Sequence, residues 1–290
     1  MKNYFFLMPL AFFFSCMRSD RADPEVARSK ESHFNSKYSF FVAGHTYGNP
    51  TTADFGLYTP FVDKIPDLNS YPGMELGILA GDVVVKSTAQ HWDSAAVDIN
   101  KFSVPIHIAA GNHDISAVFD DRFEYFYSFE TGGDVFIILS PTRWSIIGEQ
   151  KKFLNDVLES NHSSTNNIFI FTHYLIWWAP DNEFSNVRIN YPPHYPGGTN
   201  YWPEISPILE SLPNQVVIFA GDMGAKPSVD SYMYHSYKNI TLIATGMGGG
   251  IDDNVVVTEV GEEGELRFRL LGISDGSLFD LADLKEYELP

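Results

Sequence analysis

The sequence predicts an α/β fold in which two β-sheets pack face to face and helices flank them. Nine runs rich in β-branched and aromatic residues predict strands, at residues 38–43, 76–80, 105–110, 135–139, 167–171, 215–220, 240–244, 255–260 and 266–271. Three stretches predict helices, at residues 89–102, 148–160 and 202–212. Because strands and helices alternate early and strands alone follow late, we expect a sandwich whose second half is largely antiparallel.

The N-terminal region differs in composition from the rest of the chain. Lys2 precedes an apolar stretch at residues 4–14, far shorter than the roughly 20 residues that a membrane-spanning helix needs. Cys16, the only cysteine, follows this stretch and resembles the acylated cysteine of a bacterial lipoprotein signal. An ordinary cleaved signal, with Cys16 incidental, is the alternative. Residues 17–36 are polar and charged without an apolar period, which favours a flexible tether.

We therefore expect one folded domain, preceded by a signal peptide and a tether and followed by an acidic tail. We assign residues 1–16 to a lipoprotein signal peptide, 17–36 to the tether, 37–273 to the folded domain and 274–290 to an acidic tail. Such a protein would lie at a bacterial cell envelope, on the periplasmic or the outer surface. It would contact the membrane through its N-terminal lipid.

Charge and cysteine content exclude several classes of function. The formal net charge of -18 repels phosphodiester backbones, so we expect no nucleic-acid partner. Because Cys16 is the only cysteine, the folded domain has neither disulfides nor thiolate metal ligands.

Five short polar segments each end an apolar run, at residues 43–47, 81–82, 111–114, 172–173 and 221–224. Polar side chains at the ends of buried strands are how α/β enzymes build active sites. The third segment is the most specific, because Gly-Asn-His-Asp places an amide, an imidazole and a carboxylate on one turn. Asp82 follows a buried run, where a carboxylate without a cation is costly. A metal ligand and a helix N-cap are the two interpretations of this residue.

By order and content these segments resemble the motifs of the calcineurin-like metallophosphoesterases. That family carries, in order, Asp-x-His, Gly-Asp, Gly-Asn-His-Asp/Glu, a lone His and Gly-His-x-His. The middle three motifs are present in this chain. The first is replaced by His45-Thr46-Tyr47, and the last by Gly221-Asp222-Met223-Gly224. The resemblance implies the two-sheet metallophosphoesterase sandwich and hydrolysis of a phosphoester.

The resemblance also implies a set of metal ligands. Asp82 would bridge two metals, and Asn112 and His173 would bind the second one. Asp222 replaces an imidazole with an oxygen ligand that suits Mn, Fe or Zn. His45 is a candidate ligand of the first metal, whose ligands in the family map to His45, Tyr47, Asp82 and Gly224; of these, Gly224 cannot coordinate and only Asp82 is a certain ligand. We therefore expect one tightly bound transition metal, with the first position empty or weakly occupied.

Further residues are candidates for catalysis and substrate binding. In the family, the His of Gly-Asn-His-Asp protonates the leaving group, which implies this role for His113, oriented by Asp114. Tyr47 ends the segment that replaces the first motif and is a candidate for substrate binding. We expect it to form a hydrogen bond near the site, and coordination of a metal as a tyrosinate is the alternative.

The long connection at residues 174–202 is rich in aromatic residues, which are expected either to bind substrate or to pack as a flap. Trp177 and Trp178 are its candidate platform for sugar rings, bases or lipids. Arg188 is a candidate for phosphate recognition.

These observations predict metal-dependent hydrolysis of a phosphomonoester or phosphodiester at the cell envelope. The substrate would be a small molecule or a glycan or lipid phosphoester. The alternative is a catalytically weakened or inactive relative that binds glycan, lipid or protein. The two altered motifs favour the alternative, whereas the intact His113 favours the enzyme.

Overall fold

A computed structural model describes residues 34–51, 55–141, 144–193, 198–274 and 276–280 of the chain. The predicted signal peptide, most of the predicted tether and most of the predicted acidic tail lie outside these residues. Among the described residues, no helix is long and apolar enough to cross a membrane.

The described residues form twelve strands, distributed over the whole domain. They are β1 (Ser36–Ala43), β2 (Met74–Leu79), β3 (Ile106–Ile108), β4 (Tyr127–Thr131), β5 (Asp134–Ile138), β6 (Asn167–Thr172), β7 (Gln215–Met223), β8 (Tyr232–Tyr237), β9 (Ile240–Gly246), β10 (Asn254–Gly261), β11 (Leu266–Gly272) and β12 (Leu278–Asp280).

The strands form two six-stranded mixed sheets. The first has the order β12-β11-β10-β1-β2-β3, and the second has the order β4-β5-β6-β7-β9-β8. Within them, β1-β2-β3 and β5-β6-β7-β9 run parallel, while the remaining neighbours are antiparallel. The carboxyl ends of parallel strands share one edge of each sheet, where α/β folds place their ligands.

Six α-helices in the described residues cover the outer faces of the sheets. They are α1 (Thr59–Val62), α2 (Ile65–Asn69), α3 (Ala89–Ile99), α4 (Ala117–Asp120), α5 (Gly148–Asn161) and α6 (Ser206–Glu210), the last preceded by a π-helical turn (Tyr201–Ile205). Thr88 and Ser116 accept main-chain N–H bonds in the first turns of α3 and α4, which fixes where these helices begin.

An aromatic core holds the two sheets together. Phe40 of the first sheet lies fully buried, with its ring centroid 4.9 Å from that of Phe169 and 5.1 Å from that of Phe136 in the second. These contacts are edge-on, which is a favoured arrangement of aromatic rings. Burial of a Phe side chain contributes about 1.5 to 3 kcal/mol, so this layer is a main source of stability.

The predicted fold class is confirmed, with corrections to its details. All nine predicted strands and all three predicted helical regions are present. The edge strands β4 and β8 were not predicted. In the second half, β6, β7 and β9 run parallel, whereas β8 and β10 to β12 pair antiparallel with their neighbours. Strand β12 lies within the range assigned to the acidic tail and pairs with β11, so the sheet extends beyond residue 273.

At one edge the two sheets approach so closely that only glycine fits between them. A Cβ atom on Gly221 of β7 would lie 1.8 Å from the carbonyl oxygen of Ala80, which follows β2. A Cβ atom on Gly44, which follows β1, would lie 2.4 Å from the Gly221 oxygen. Both obstacles are main-chain atoms, so a rotamer change cannot remove the clash. Backbone of the first sheet therefore touches backbone of the second beside the strand ends.

We expect Gly221→Ala to lower the free energy of unfolding by about 3 kcal/mol or more, because the sheets must separate to admit the methyl group. Gly133→Ala is the matched control: a Cβ atom there meets nothing within 4 Å, although its φ of 86° costs backbone strain. Urea denaturation of both variants measures the difference. Equal losses of stability would show that the sheets can separate without cost.

Candidate metal centre

Four buried polar side chains converge where the two sheets touch. His45 follows β1, Asp82 follows β2, His173 follows β6 and Asp222 lies in the last part of β7. All four side chains are almost completely shielded from solvent. The first two belong to one sheet and the last two to the other, so the glycine contacts between the sheets bring the pairs together.

Asp82 lies at the centre of this cluster and uses both of its oxygens. Its Oδ1 is 3.4 Å from Nε2 of His173, and its Oδ2 is 3.6 Å from Nε2 of His45. Nε2 of His173 is also 3.8 Å from Oδ1 of Asp222. Ligand atoms of Asp82, His173 and Asp222 all lie within 4.8 Å of one another. One carboxylate oxygen thus faces each imidazole, as required of a carboxylate that bridges two positions.

Main-chain carbonyls fix the tautomer of both imidazoles. Nδ1 of His45 is 3.0 Å from the Met247 oxygen, and Nδ1 of His173 is 3.1 Å from the Ala80 oxygen. A carbonyl oxygen only accepts, so Nδ1 carries the proton in each ring. Nε2 of the neutral ring then presents a lone pair to Asp82, which is how histidine binds a metal.

The atoms that converge in the cluster lack hydrogen-bond partners. This observation tests whether a metal fits the site, because a metal would coordinate the same lone pairs. Nε2 of His45, Nε2 of His173 and Oδ2 of Asp82 are buried and make no hydrogen bond. Buried polar atoms are nearly always paired, because leaving one unpaired costs about 1 to 3 kcal/mol. Lone pairs that face each other at 3.4 to 3.6 Å repel unless a cation is shared between them. The imidazole and carboxylate set fits a transition metal such as Mn, Fe or Zn.

Electrostatics of the cluster favour a positive charge at this position. Burial, with a further effect from Asp82, raises the pKa of Asp114 to about 7, and burial raises the pKa of Asp222 to about 6. Burial lowers the pKa of His45 to about 4, so this ring is neutral at pH 7. Burial alone would lower the pKa of His173 as well, but Asp82 and Asp222 raise it above its usual value. A bound cation would stabilise these carboxylates in their ionised form.

The main chain around the cluster is strained and tightly packed. Both His45 and Asp82 have φ of 53°, in the left-handed region that residues other than glycine seldom adopt. A Cβ atom on Gly81 would lie 2.5 Å from Nδ1 of His173, and one on Gly111 would lie 2.3 Å from Oδ1 of Asp82. Strain of this kind persists at functional sites because the surrounding structure enforces it.

The turn at residues 111–114 has a different internal arrangement from the one expected. Asp114 accepts hydrogen bonds from three main-chain N–H groups, those of Val83, Val84 and Gly111, at 2.8 to 3.2 Å. Nδ1 of His113 instead donates to the carbonyl oxygen of Val85 at 2.8 Å. The prediction that Asp114 orients His113 is therefore wrong. Asp114 instead joins the turn to the residues that follow Asp82.

His113 is nevertheless adjacent to the cluster. Its main-chain N–H donates to Oδ1 of Asp82 at 3.1 Å, and its half-buried ring packs 5.1 Å from the ring of Tyr47. Because Nδ1 is bonded to Val85, Nε2 is the ring nitrogen left for chemistry. The catalytic role of His113 remains a prediction.

Asn112 lies on the exposed side of the cluster. Its Oδ1 accepts a hydrogen bond from the Tyr174 hydroxyl at 3.3 Å. Burial, together with Asp222 and Asp82, raises the pKa of the Tyr174 hydroxyl, which keeps it protonated as a donor. Ligation by Asn112 stays a prediction, and Tyr174 is a contact of this residue that the sequence did not indicate.

Two further residues support the cluster and were missed by the sequence analysis. Asn190 donates from Nδ2 to Oδ1 of Asp222 at 2.9 Å. Asp253 accepts the N–H groups of residues 248–250 at 2.8 to 3.1 Å, which holds the glycine-rich loop whose Met247 oxygen orients His45. Neither residue belongs to a recognisable motif. Only their positions in space reveal their roles.

Tyr47 is buried against the cluster, with its ring centroid 4.3 Å from that of His45. Burial, with Asp82 and Asp222 nearby, raises the pKa of its hydroxyl above the usual range. The neutral phenol is therefore favoured over a tyrosinate ligand. The expected hydrogen bond of Tyr47 near the site stays a prediction.

The structure contradicts substrate binding by the two tryptophans. Trp177 is 0% and Trp178 is 8% exposed, because both rings pack onto the outer face of the second sheet. Their indole N–H groups donate to Sδ of Met233 and to the oxygen of Val187, respectively. This part of the connection is a packed flap, the alternative considered from the sequence.

Arg188 lines a polar cavity of about 350 Å³ together with Lys226, Gly224 and Gly250. Its guanidinium is paired with Asp230 at 2.5 Å, which reduces the positive charge that it can offer to a phosphate. Phosphate binding by Arg188 stays a prediction.

The fold was compared with known proteins. No family model matches the sequence, and no curated protein is significantly similar to it. Among solved structures, purple acid phosphatase PPD1 from yellow lupin (Lupinus luteus) seeds superposes with a TM-score of 0.58 at 14% identity, covering 84% of this chain and 52% of the phosphatase. A putative 5'-nucleotidase from Staphylococcus aureus has a TM-score of 0.46 at 12% identity, with 83% and 55% covered. The chain spans about half the length of these two structures.

The chain thus shares the two-sheet sandwich fold of this purple acid phosphatase, which is the fold that the resemblance of its motifs implied. Its strand ends hold a buried Asp82, His173 and Asp222 group that could bind a metal.

We expect one tightly bound metal per chain after dialysis against Mn²⁺ or Zn²⁺, measured by elemental analysis. His173→Ala should remove it, because the ligand atoms of Asp82, His173 and Asp222 converge on one position. His45→Ala should retain it, since His45 faces only the other oxygen of Asp82.

His162→Ala, which changes an imidazole at the end of α5, is the control and should retain the metal. Two stoichiometric metals in the wild type would show that His45 completes a second strong site. Retention of metal by His173→Ala would contradict the assignment of the tight position.

Proposed function

We propose that this protein hydrolyses phosphoesters in a metal-dependent reaction. One observation carries the proposal: the unpartnered Nε2 atoms of two buried histidines face the two oxygens of one buried aspartate, with a second aspartate alongside. Likeness of the fold to a purple acid phosphatase supports phosphoester chemistry. The proposed substrate is a small-molecule phosphomonoester or phosphodiester, or the phosphoester of a glycan or lipid.

In this proposal Asp82, His173 and Asp222 hold the tightly bound metal, with Asn112 beside them. A metal there supplies Lewis-acid chemistry, polarising a phosphoryl oxygen and lowering the pKa of water. His45 offers its lone pair to the other oxygen of Asp82, so these two residues would hold a second and weaker metal. The carbonyls of Met247 and Ala80 keep both imidazoles in the ligating tautomer before any metal arrives.

His113 is the proposed proton donor to the leaving group. Its Nδ1–H is bound to the Val85 carbonyl, so a proton carried on Nε2 is the one available to the departing oxygen as the phosphorus–oxygen bond breaks. The hydrogen bond from the main-chain N–H of His113 to Oδ1 of Asp82 keeps His113 next to this proposed metal ligand. Arg188 remains the proposed contact of the substrate phosphate, in a cavity that Lys226, Asp230, Asp252 and Asp253 also line.

We expect His113→Ala to lower kcat by about 10²- to 10⁴-fold on an alkyl phosphate while the metal content stays unchanged. The loss should be much smaller on 4-nitrophenyl phosphate, because its leaving group departs without protonation. Phosphate release from both substrates, measured with elemental analysis of the same samples, separates proton donation from metal binding.

His162→Ala controls for the loss of an imidazole outside the cluster. Loss of metal from His113→Ala would show that this residue is a ligand rather than a proton donor. Absence of hydrolysis by the metal-loaded wild type would favour the non-catalytic binding protein.

We also propose that the protein is a lipoprotein of the bacterial cell envelope. The support is the short apolar stretch at residues 4–14 followed by the sole cysteine, Cys16, and then by a polar segment.

We expect mass spectrometry of the native protein to find an acylated Cys16 at the N-terminus. Cys16→Ser should move the protein from the membrane fraction to the aqueous fraction, since one lipid-modified residue provides the anchor. A mature, unmodified chain that starts downstream of Cys16 would contradict the proposal.

A further inference from the structure

Three aromatic side chains form a continuous stack beside the candidate metal centre. We call Tyr174, Trp144 and Tyr191 the aromatic wall. The ring centroids of Tyr174 and Trp144 are 4.4 Å apart, and those of Trp144 and Tyr191 are 5.4 Å apart with an interplanar angle of 19°. Trp144 is buried in the middle, whereas Tyr191 at the outer end is 47% exposed.

The aromatic wall is joined to the cluster at both ends. Tyr174 directly follows His173, and its hydroxyl donates to Oδ1 of Asn112 at 3.3 Å. Tyr191 directly follows Asn190, whose side chain donates to Asp222 at 2.9 Å. Consecutive Cα atoms are about 3.8 Å apart. The exposed end of the wall is therefore one residue along the chain from a side chain that contacts Asp222.

Backbone strain singles out the central residue of the wall. Among the described residues, the left-handed non-glycine positions are His45, Asp82, Trp144 and Lys238. Lys238 lies in the tight turn between β8 and β9, where such a conformation is usual. His45 and Asp82 belong to the metal cluster. Trp144, with φ of 60°, is a bulky residue that does not readily adopt this conformation.

The strain at Trp144 presents its indole ring between the two tyrosines. Local strain of this kind is characteristic of ligand-binding segments, where the surrounding structure enforces it. The buried Trp177 and Trp178, in contrast, adopt no such conformation and serve only the packing of the flap. After the metal cluster, the aromatic wall is thus a second place where the fold holds a residue in a backbone conformation that this residue disfavours.

We infer that the aromatic wall binds a planar aromatic group of the phosphoester substrate, by stacking against Tyr191 while the phosphate lies at the cluster. The inference rests on the proposed function and narrows the substrate class to phosphates of aryl or heteroaromatic compounds. Stacked and edge-on ring contacts are favoured beyond simple burial of apolar surface. An aliphatic group of similar size would be stabilised only by burial of its apolar surface, without the additional ring contacts.

The test measures binding without turnover. Titration calorimetry of the Mn²⁺-loaded protein compares phenylphosphonate with cyclohexylphosphonate, which has an aliphatic ring of similar size; neither has an ester bond to cleave. We expect phenylphosphonate to bind roughly 3- to 10-fold more tightly, the effect of one aromatic contact. Tyr191→Leu should bring this affinity ratio close to one, and Tyr191→Phe should preserve it.

Phe55→Leu is the matched control, because Phe55 is 49% exposed and packs on His91 rather than on the wall. It should leave the affinity ratio at the wild-type value. Thermal melts of all three variants confirm that each is folded. A wild-type ratio near one, no detectable binding of phenylphosphonate, or an unchanged ratio in Tyr191→Leu would overturn the inference.

Hydrolysis is measured in parallel as phosphate release from phenyl phosphate. A Tyr191-dependent preference without hydrolysis would support the aromatic wall and count against the proposed function. Hydrolysis without a preference for the phenyl compound would support the proposed function and count against the aromatic wall. The two proposals therefore fail in distinguishable ways.

Discussion

The close approach of the two sheets at their carboxyl ends is the constraint on which the site depends. Gly44 and Gly221 lack the Cβ atoms that would hold the strands apart, so main chain meets main chain. Only this contact allows Asp82, carried by one sheet, to lie within 4 Å of His173, carried by the other. The aromatic layer around Phe40 supplies the apolar burial that keeps the sheets together despite this crowding.

The same contact explains the electrostatic character of the centre. Pressing the strand ends together excludes water from three carboxylates and two imidazoles, which raises the pKa values of Asp114 and Asp222. Carbonyls of the touching strands and loops then select which imidazole nitrogen faces inward. Buried polar groups of this kind are costly to leave without a counter-charge, and a cation would offset that cost.

Sequence patterns were sufficient for features that depend on one segment of the chain. Long apolar runs identified the central strands, and the polar residues at their ends identified Asp82, His173 and Asp222. Edge strands β4 and β8 were missed because they are half-exposed and carry mixed polar and apolar residues. The role of Asp114 was misassigned because its side chain met three nearby main-chain amides, which local order does not reveal. Asn190 acts only through a contact distant in sequence.

The position of β1 has a consequence for how the molecule is made. This first strand lies between β2 and β10, so one of its two neighbours is separated from it by some two hundred residues. Such distant pairing is slow, because a long loop must close before any contact forms. His45 depends on the same late region through Met247. A nascent chain therefore cannot assemble the complete cluster until nearly all of the domain has been synthesised, so any cation held by both histidines would bind after folding rather than guide it.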